Sequence, residues 1–382
     1  MRTTILLAAL AANVVLAQPE IDAGSAPETL DAKSAEARGF EFWQGRLATR
    51  DAAAAARWFG MAAADGRPLS QYMLAEQYRT GTGVERDLTR ALELYREAAN
   101  QGLAAAQMML GQAYLLGLGG IARDADAAFR WLREAARQEN PEALFMLSVL
   151  YASGQGVEQD RDFGWSLAVR AAALGQARAA ATVGPRFLYD PSVRDVEKGL
   201  HFLRQSAESN DAQGAYLLAL EYLRGTHLPR DPGLGAQRLT QAAHALPAAS
   251  LLLSVLYTKG IGVEANAARA AELLDAGLAK ATPSDKNSFA WTLAAGPDED
   301  FRDGALAVRI MEQLTADPSQ RFPAFLDTLA AAYAEAGRFD DAVNAQTQAI
   351  EALPANVTAE RRQPFERRRA LYRGGSPYRE TP

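Results

Sequence analysis

Three histidines, His201, His227 and His244, are the first residues in this chain to test for chemistry, since imidazole is the usual base and metal ligand near neutral pH. They fall at unrelated places, one in a helix, one in a turn and one in the next helix. No H-E-x-x-H spacing and no G-x-S-x-G elbow accompanies them, so neither zinc hydrolysis nor a serine triad is indicated. Repeated G-x-G-V strings would suit a phosphate loop, but they lack the following Lys-Ser/Thr and join helix to helix, so they read as turns. A ladder of acids, Asp51, Asp87, Asp124, Asp160, Asp195 and Asp231, continued by Asn266, would suit cations. Stacked one repeat apart, those carboxylates would stand ~10 Å from each other, too far to share an ion with its ~2.5 Å bonds, so they read as helix caps. The run Asp298-Glu299-Asp300, closed by Asp303, is either a site for a cation or basic partner or a solvated loop, the plainer reading. The absence of cysteine removes disulfides, thiolate metal sites and thiol nucleophiles. No cofactor, no metal and no catalytic residue is therefore expected.

The elements that position these residues follow from the acid ladder. Four residues after each anchor stands a small side chain: Ala55, Ala91, Ala128, Gly164, Gly199, Gly235 and Ala270. Eleven after each stands another: Ala62, Ala98, Ala135, Ala171, Ser206, Ala242 and Gly277. A mostly bulky apolar residue lies between them at the eighth position, as in Phe59, Tyr95, Leu132, Leu203 and Leu239. At 3.6 residues per turn these three positions share one face, so each anchor caps a helix that shows small residues to a close neighbour. A second helix precedes each anchor. Tyr78, Tyr114, Tyr151, Tyr222 and Tyr257 each stand three residues before a glycine, Gly81, Gly117, Gly154, Gly225 and Gly260, which ends that helix in the left-handed conformation. Around Phe187–Val193 the glycine turn gives way to a shorter YDPSV segment.

Strings such as YRTGTGVERDLTRALELYREAANQG and YASGQGVEQDRDFGWSLAVRAAALG resemble Sel-1-like repeats, and the resemblance covers residues 40–280. His227 stands where that pattern has its second glycine, and GLGGIARD carries an extra residue. Residues 281–355 are similar to tetratricopeptide repeats. Leu326, Leu329, Ala330, Tyr333, Ala342, Ala349 and Pro354 fall at the pattern's positions, with Gln346 where an aromatic is usual. These resemblances imply an all-α fold, a right-handed superhelical solenoid of about nine helix-turn-helix hairpins, with the two repeat types stacking into one body.

The ends differ from the body. Residues 1–17 read as a signal peptide: Arg2, an apolar Ile5–Leu16 stretch and the small-residue pattern Val15-Leu16-Ala17. As a helix those twelve residues would rise only ~18 Å, short of a ~30 Å hydrocarbon core. Residues 18–39 read as a flexible leader. Residues 356–382 form a basic tail, seven arginines against three glutamates, read as a capping helix over the last repeat. The sharper reading gives Arg367, Arg368 and Arg369 to anionic envelope polymer or lipid head groups. A formal net charge of −6 argues against nucleic-acid binding, and membrane association would be only peripheral.

One stripe suggests a binding face. Tyr72, Met108, Phe145, Tyr216 and Leu251 stand six residues before the repeat tyrosines, on helices that would line the concave side. They would either hold a partner's segment, with Glu76, Arg79 and Gln112 adding polar contacts, or pack between helices. The resulting expectation is an exported, periplasmic or secreted, non-enzymatic scaffold for a protein or peptide partner in envelope assembly, secretion or signalling. The alternatives are an anionic-surface binder acting through the tail and a cell-wall enzyme using loop carboxylates.

Overall fold

The computed structural model describes residues 31–45 and 50–380. The stretch expected to be a signal peptide, residues 1–17, and most of the expected leader lie outside the described residues. The leader nevertheless ends earlier than residue 39: Asp31 caps a helix by accepting the Ser34 N–H at 2.7 Å, and the chain is helical from Ala32.

Among the described residues there are nineteen α-helices, two short 3-10 turns and no strand. They are α1 (Ala32–Gln44), α2 (Ala52–Ala64), α3 (Pro68–Thr80), α4 (Leu88–Asn100), α5 (Ala104–Leu116), α6 (Ala125–Arg137) and α7 (Pro141–Ser153). They continue as α8 (Arg161–Ala173), α9 (Ala177–Tyr189), α10 (Val196–Glu208), α11 (Ala212–Arg224), α12 (Pro232–Ala242) and α13 (Pro247–Lys259). The last six are α14 (Ala267–Lys280), α15 (Pro283–Ala295), α16 (Gly304–Thr315), α17 (Pro323–Glu335), α18 (Phe339–Glu351) and α19 (Ala359–Arg373). The described residues up to Leu110, together with Leu118–Ile121, form one compact unit; Gly111–Gly117 and the chain from Ala122 onward form a second.

Every anchor of the ladder caps a helix. Asp51, Asp87, Asp124, Asp160, Asp195, Asp231 and Asn266 each accept, through a side-chain oxygen, the N–H three residues on, at 2.8–3.0 Å. Their own N–H groups close the preceding turn: those of Asp87, Asp124, Asp160, Asp231 and Asn266 donate to the carbonyls of Tyr78, Tyr114, Tyr151, Tyr222 and Tyr257. Asp195 donates to Phe187 in the same way, so the shortened YDPSV turn keeps this closure. One side chain thus satisfies a helix start while its backbone fixes the turn.

The small residues do what their spacing implies. Ala55, Ala91, Ala128, Ala62, Ala98, Ala135, Ala171, Ser206 and Ala242 have no exposed surface. Between α9 and α10 the fit is reciprocal: a Cβ on Gly184 would stand 2.7 Å from Leu203, and one on Gly199 2.7 Å from Leu188. The leucines fill the hollows left by the glycines, so burying each is worth about 1.5–3 kcal/mol. The second turn glycine has another task. A Cβ on Gly83 would lie 2.3 Å from the Ala52 carbonyl group, and one on Gly156 2.5 Å from the Ala125 oxygen. That glycine lies on the first turn of the preceding hairpin's second helix.

In the second unit one core runs from Leu188 through Leu253, Ala281 and Phe289 to Tyr372, so packing continues unbroken past residue 280.

Candidate partner-binding surface

The stripe is largely interior. Leu251 is fully buried, and a Cβ added to Gly277 would come within 2.8 Å of its Cδ2. Tyr72 is buried against the Tyr95 ring, 5.7 Å between centroids, and buried Phe145 is covered by the Arg178 guanidinium at 5.3 Å. Only Met108 and Tyr216 keep partial exposure. For Leu251 the reason is the small eleventh residue, Gly277, which leaves a hollow that the leucine fills. Two of the polar neighbours are also spent: Arg79 pairs with Glu76 at 2.6 Å, and Glu76 accepts the Tyr95 hydroxyl. Tyr72, Phe145 and Leu251 are therefore corrected from groove residues to core.

The tail arginines are corrected in part. Arg368 does not face outward: its Nε and Nη2 grip the buried Asp327 carboxylate at 2.8 and 2.7 Å. Its guanidinium also lies 5.2–5.6 Å from the ring centres of Phe365, Tyr378 and Trp291. Arg367 remains exposed and Arg369 partly so. Burial pushes the Asp327 carboxyl above the usual carboxylate range, an effect that Arg368 and Gln346 oppose. Gln346, fully buried, donates its amide to Asp327 at 2.7 Å, which explains why no aromatic stands there. Beyond α19 the chain turns at Gly374-Gly375 and lies back on α15 and α17. Tyr378 packs on Trp291, 5.9 Å between ring centres, and Arg379 pairs with Glu335. The Glu380 carboxylate accepts the Trp291 indole N–H at 2.7 Å, and its N–H donates to the Ala295 carbonyl at 2.9 Å.

The acidic run forms a short turn turned toward its own fold. Arg230 pairs with Asp300 at 2.6 Å and stands 3.6 Å from Asp298, while Asp303 caps α16. The histidines stay apart. His201 is exposed, His244 bonds to the Gln241 carbonyl, and His227 sits 2.9 Å from buried Glu221, which also accepts the Tyr189 hydroxyl. Among the described residues no cluster of three or more His, Asp or Glu is arranged to hold a metal, and no helix is long and apolar enough to cross a membrane.

A recess of about 420 Å³ opens between α16, α17 and α18. Leu326, Leu329 and Ala345 supply its apolar lining, and Tyr333, Asn344, Gln348, Glu312 and Asp341 its polar groups. Arg338 bridges Asp341 at 2.7 Å and Glu312 at 3.4 Å and stacks on Tyr333 at 4.3 Å, so the acids are held at fixed places. Burial and the Glu312 carboxylate push the Tyr333 phenol up to about 12, keeping it a donor to Glu312 at 2.9 Å. Asn344 and Gln348 lie one turn apart, about 6 Å, a spacing that lets two amides address alternate peptide groups of an extended chain at ~3.4 Å per residue. Exposed Phe322 stands next to the lining residue Arg321. The Asn344/Gln348 spacing was visible in the sequence, but nothing local marked it as facing an opening.

Comparison with known proteins agrees with this architecture. The Sel1 repeat model matches seven segments: 33–66, 68–103, 104–140, 141–176, 187–211, 212–245 and 247–277. A protective antigen of uropathogenic Escherichia coli with an SLR fold is similar, at TM-score 0.58 and 24% identity over 91% of this chain and 73% of its own. A Sel1 repeat protein from Oxalobacter formigenes superposes at TM-score 0.54 with 26% identity, over 64% of this chain and 96% of its own. An uncharacterized protein of Neisseria meningitidis serogroup B is 28% identical over 222 residues, 56% of this chain and 37% of that protein, so the chain spans little more than a third of this curated relative. Sel1 repeat proteins typically mediate protein–protein interaction on a generally non-catalytic scaffold. With capped helices, left-handed turn glycines and seven matched units covering more than half its length, this chain belongs to the Sel1 repeat family.

Proposed function

We propose that this protein is an exported, non-enzymatic scaffold that holds a protein or peptide partner on its helical-repeat surface, in envelope assembly, secretion or signalling. The observation that carries this reading is the recess between α16, α17 and α18. There an apolar floor, paired amides and fixed acids face an opening, whereas the stripe on the earlier helices is used up in packing. Such a surface suits an extended peptide, whose backbone meets the amides and whose side chains meet the floor. The export half of the proposal rests on the N-terminal pattern of residues 1–17.

The test is site-specific photocrosslinking in intact cells with the reactive group at Gln348, compared with one at Phe145, which the structure buries. Capture at Gln348 of the protein that full-length material recovers by pull-down, lost on Asn344→Arg, supports the reading. Recovery of that partner with undiminished yield from the Asn344→Arg variant, and no adduct at Gln348, would remove the recess from consideration. Fractionation of cells expressing the full chain tests export separately, and a product retaining residues 1–17 in the cytoplasm would end that part.

A further inference from the structure

The last described residues behave as a ligand bound to their own protein. Between Ser376 and Glu380 the chain leaves α19, forms no helix or strand, and is held against α15 and α17 mainly by side chains. Tyr378 lies against the Trp291 ring, Arg379 pairs with the Glu335 carboxylate, and the Glu380 carboxylate accepts the Trp291 indole proton. The segment makes two backbone–backbone hydrogen bonds among the described residues: the Ser376 N–H donates to the Leu371 carbonyl of α19, and, beyond α19, the Glu380 N–H donates to the Ala295 carbonyl, a helix-end acceptor where α15 stops. Gly374 and Gly375 join this segment to α19, and Gly375 has φ of +68°, a conformation that glycine reaches at little cost. A segment with few buried contacts beyond such a joint belongs to the low-stability end of a fold and opens ahead of the hairpins beneath it.

We propose that the face formed by Trp291 and Ala295 of α15 with Glu335 of α17 is a receptor for polypeptide segments in which an aromatic residue and an arginine precede a carboxylate. The chain's own residues 376–380 occupy it until such a segment of a partner displaces them. The recognition chemistry is already present: an aromatic platform, a carboxylate for the arginine, an indole donor for the acid and a carbonyl for the incoming backbone N–H. This inference rests on the scaffold reading but names a different face from the recess, so the two fail separately. A two-glycine joint holds the internal segment at an effective concentration on the order of mM, so a free peptide of ~10 µM intrinsic affinity is weakened roughly a hundredfold while the tail is seated.

The experiment uses the full chain and a fluorescein-labelled peptide with the sequence of residues 374–382, read by anisotropy. Tyr378→Ala with Arg379→Ala loosens the internal segment, and this variant is expected to bind the peptide at least ~10-fold more tightly than the native chain does, one to one. A peptide with alanine in place of its tyrosine and arginine is expected to lose that binding. No saturable binding to a double variant that melts like the native protein overturns the proposal, and so does equal binding of the alanine peptide. Should the double variant fail to fold, hydrogen exchange on the native chain decides. Faster exchange at residues 376–380 in excess peptide, with α15 still protected, supports displacement, and unchanged exchange overturns it. A partner still crosslinked at Gln348 when the peptide fails would leave the scaffold reading standing and sink only this one.

Discussion

Arg368→Ala should be among the most damaging single changes outside the repeat core. The side chains of Arg368 and Asp327 are only 12% and 9% exposed and are joined by two short bonds, and among the described residues Gln346 is the one other side chain bonded to the carboxylate. Removing the guanidinium leaves a carboxylate buried with one amide donor, a loss of about 3–5 kcal/mol for a broken buried pair. At about 2–4 °C per kcal/mol for a unit of this size, the transition that unfolds the C-terminal hairpins should fall by roughly 6–20 °C. The loss also has a pH signature. Asp327 is held above its ordinary value by burial, and Arg368 is one of the influences pulling it down, so the variant's carboxyl rises further. A carboxyl raised in the folded state keeps its proton where the unfolded chain has lost it, so its contribution to stability disappears as pH rises through the folded value. The Arg368→Ala penalty should therefore be full near pH ~7 and shrink as pH falls toward ~4, where a neutral carboxyl needs no counter-charge. Replacing the whole cluster, Asp327→Leu with Gln346→Leu and Arg368→Met, should recover most of the loss, because apolar groups of similar volume demand no pairing. Urea unfolding followed by hydrogen exchange in α17–α19 reads all three. A single variant within ~0.5 kcal/mol of native, or a penalty that grows in acid, refutes the account of this cluster.

Further changes at four positions probe the repeats. Gly83→Ala meets both a positive φ of +79° and the Ala52 backbone, and should cost about 2–5 kcal/mol, whereas Gly66→Ala, at φ +80° with open space around it, should cost only about 1–2 kcal/mol; equal effects in thermal melts would discount the backbone contact. Ala135→Phe should overpack a site with no exposed surface and lose about 1–3 kcal/mol, and an unchanged melt would mean the eleventh position is not a helix contact. Asp160→Ala removes the acceptor of the Phe163 N–H and should cost about 1 kcal/mol, with Asp160→Asn close to native in urea titrations; a silent alanine would show that the cap bond contributes nothing there.

The helical hairpins were legible in the amino-acid string because their determinants are short-range. A cap reaches three residues along the chain, a turn glycine ends the helix it belongs to, and a small residue recurs on one face at 3.6-residue spacing. Those rules place Asp124, Gly154 and Ala135 without reference to anything distant, and they survive the worn turn at Asp190 because the backbone closure at Phe187 remains. What the packing decided lies at long separations. Tyr72 and Leu251 have the composition of a binding stripe, yet their exposure depends on how deep a hollow the neighbouring helix leaves. Arg368 reads as a surface charge until α17 brings Asp327 forty-one positions back into its grip, and Arg230 meets Asp300 across seventy. Periodicity marks which face of a helix turns inward. Whether an inward face is filled or left open is set by the volumes of side chains remote in sequence, and so the buried stripe, the recess at Gln348 and the seat of Tyr378 appear only when the hairpins are packed.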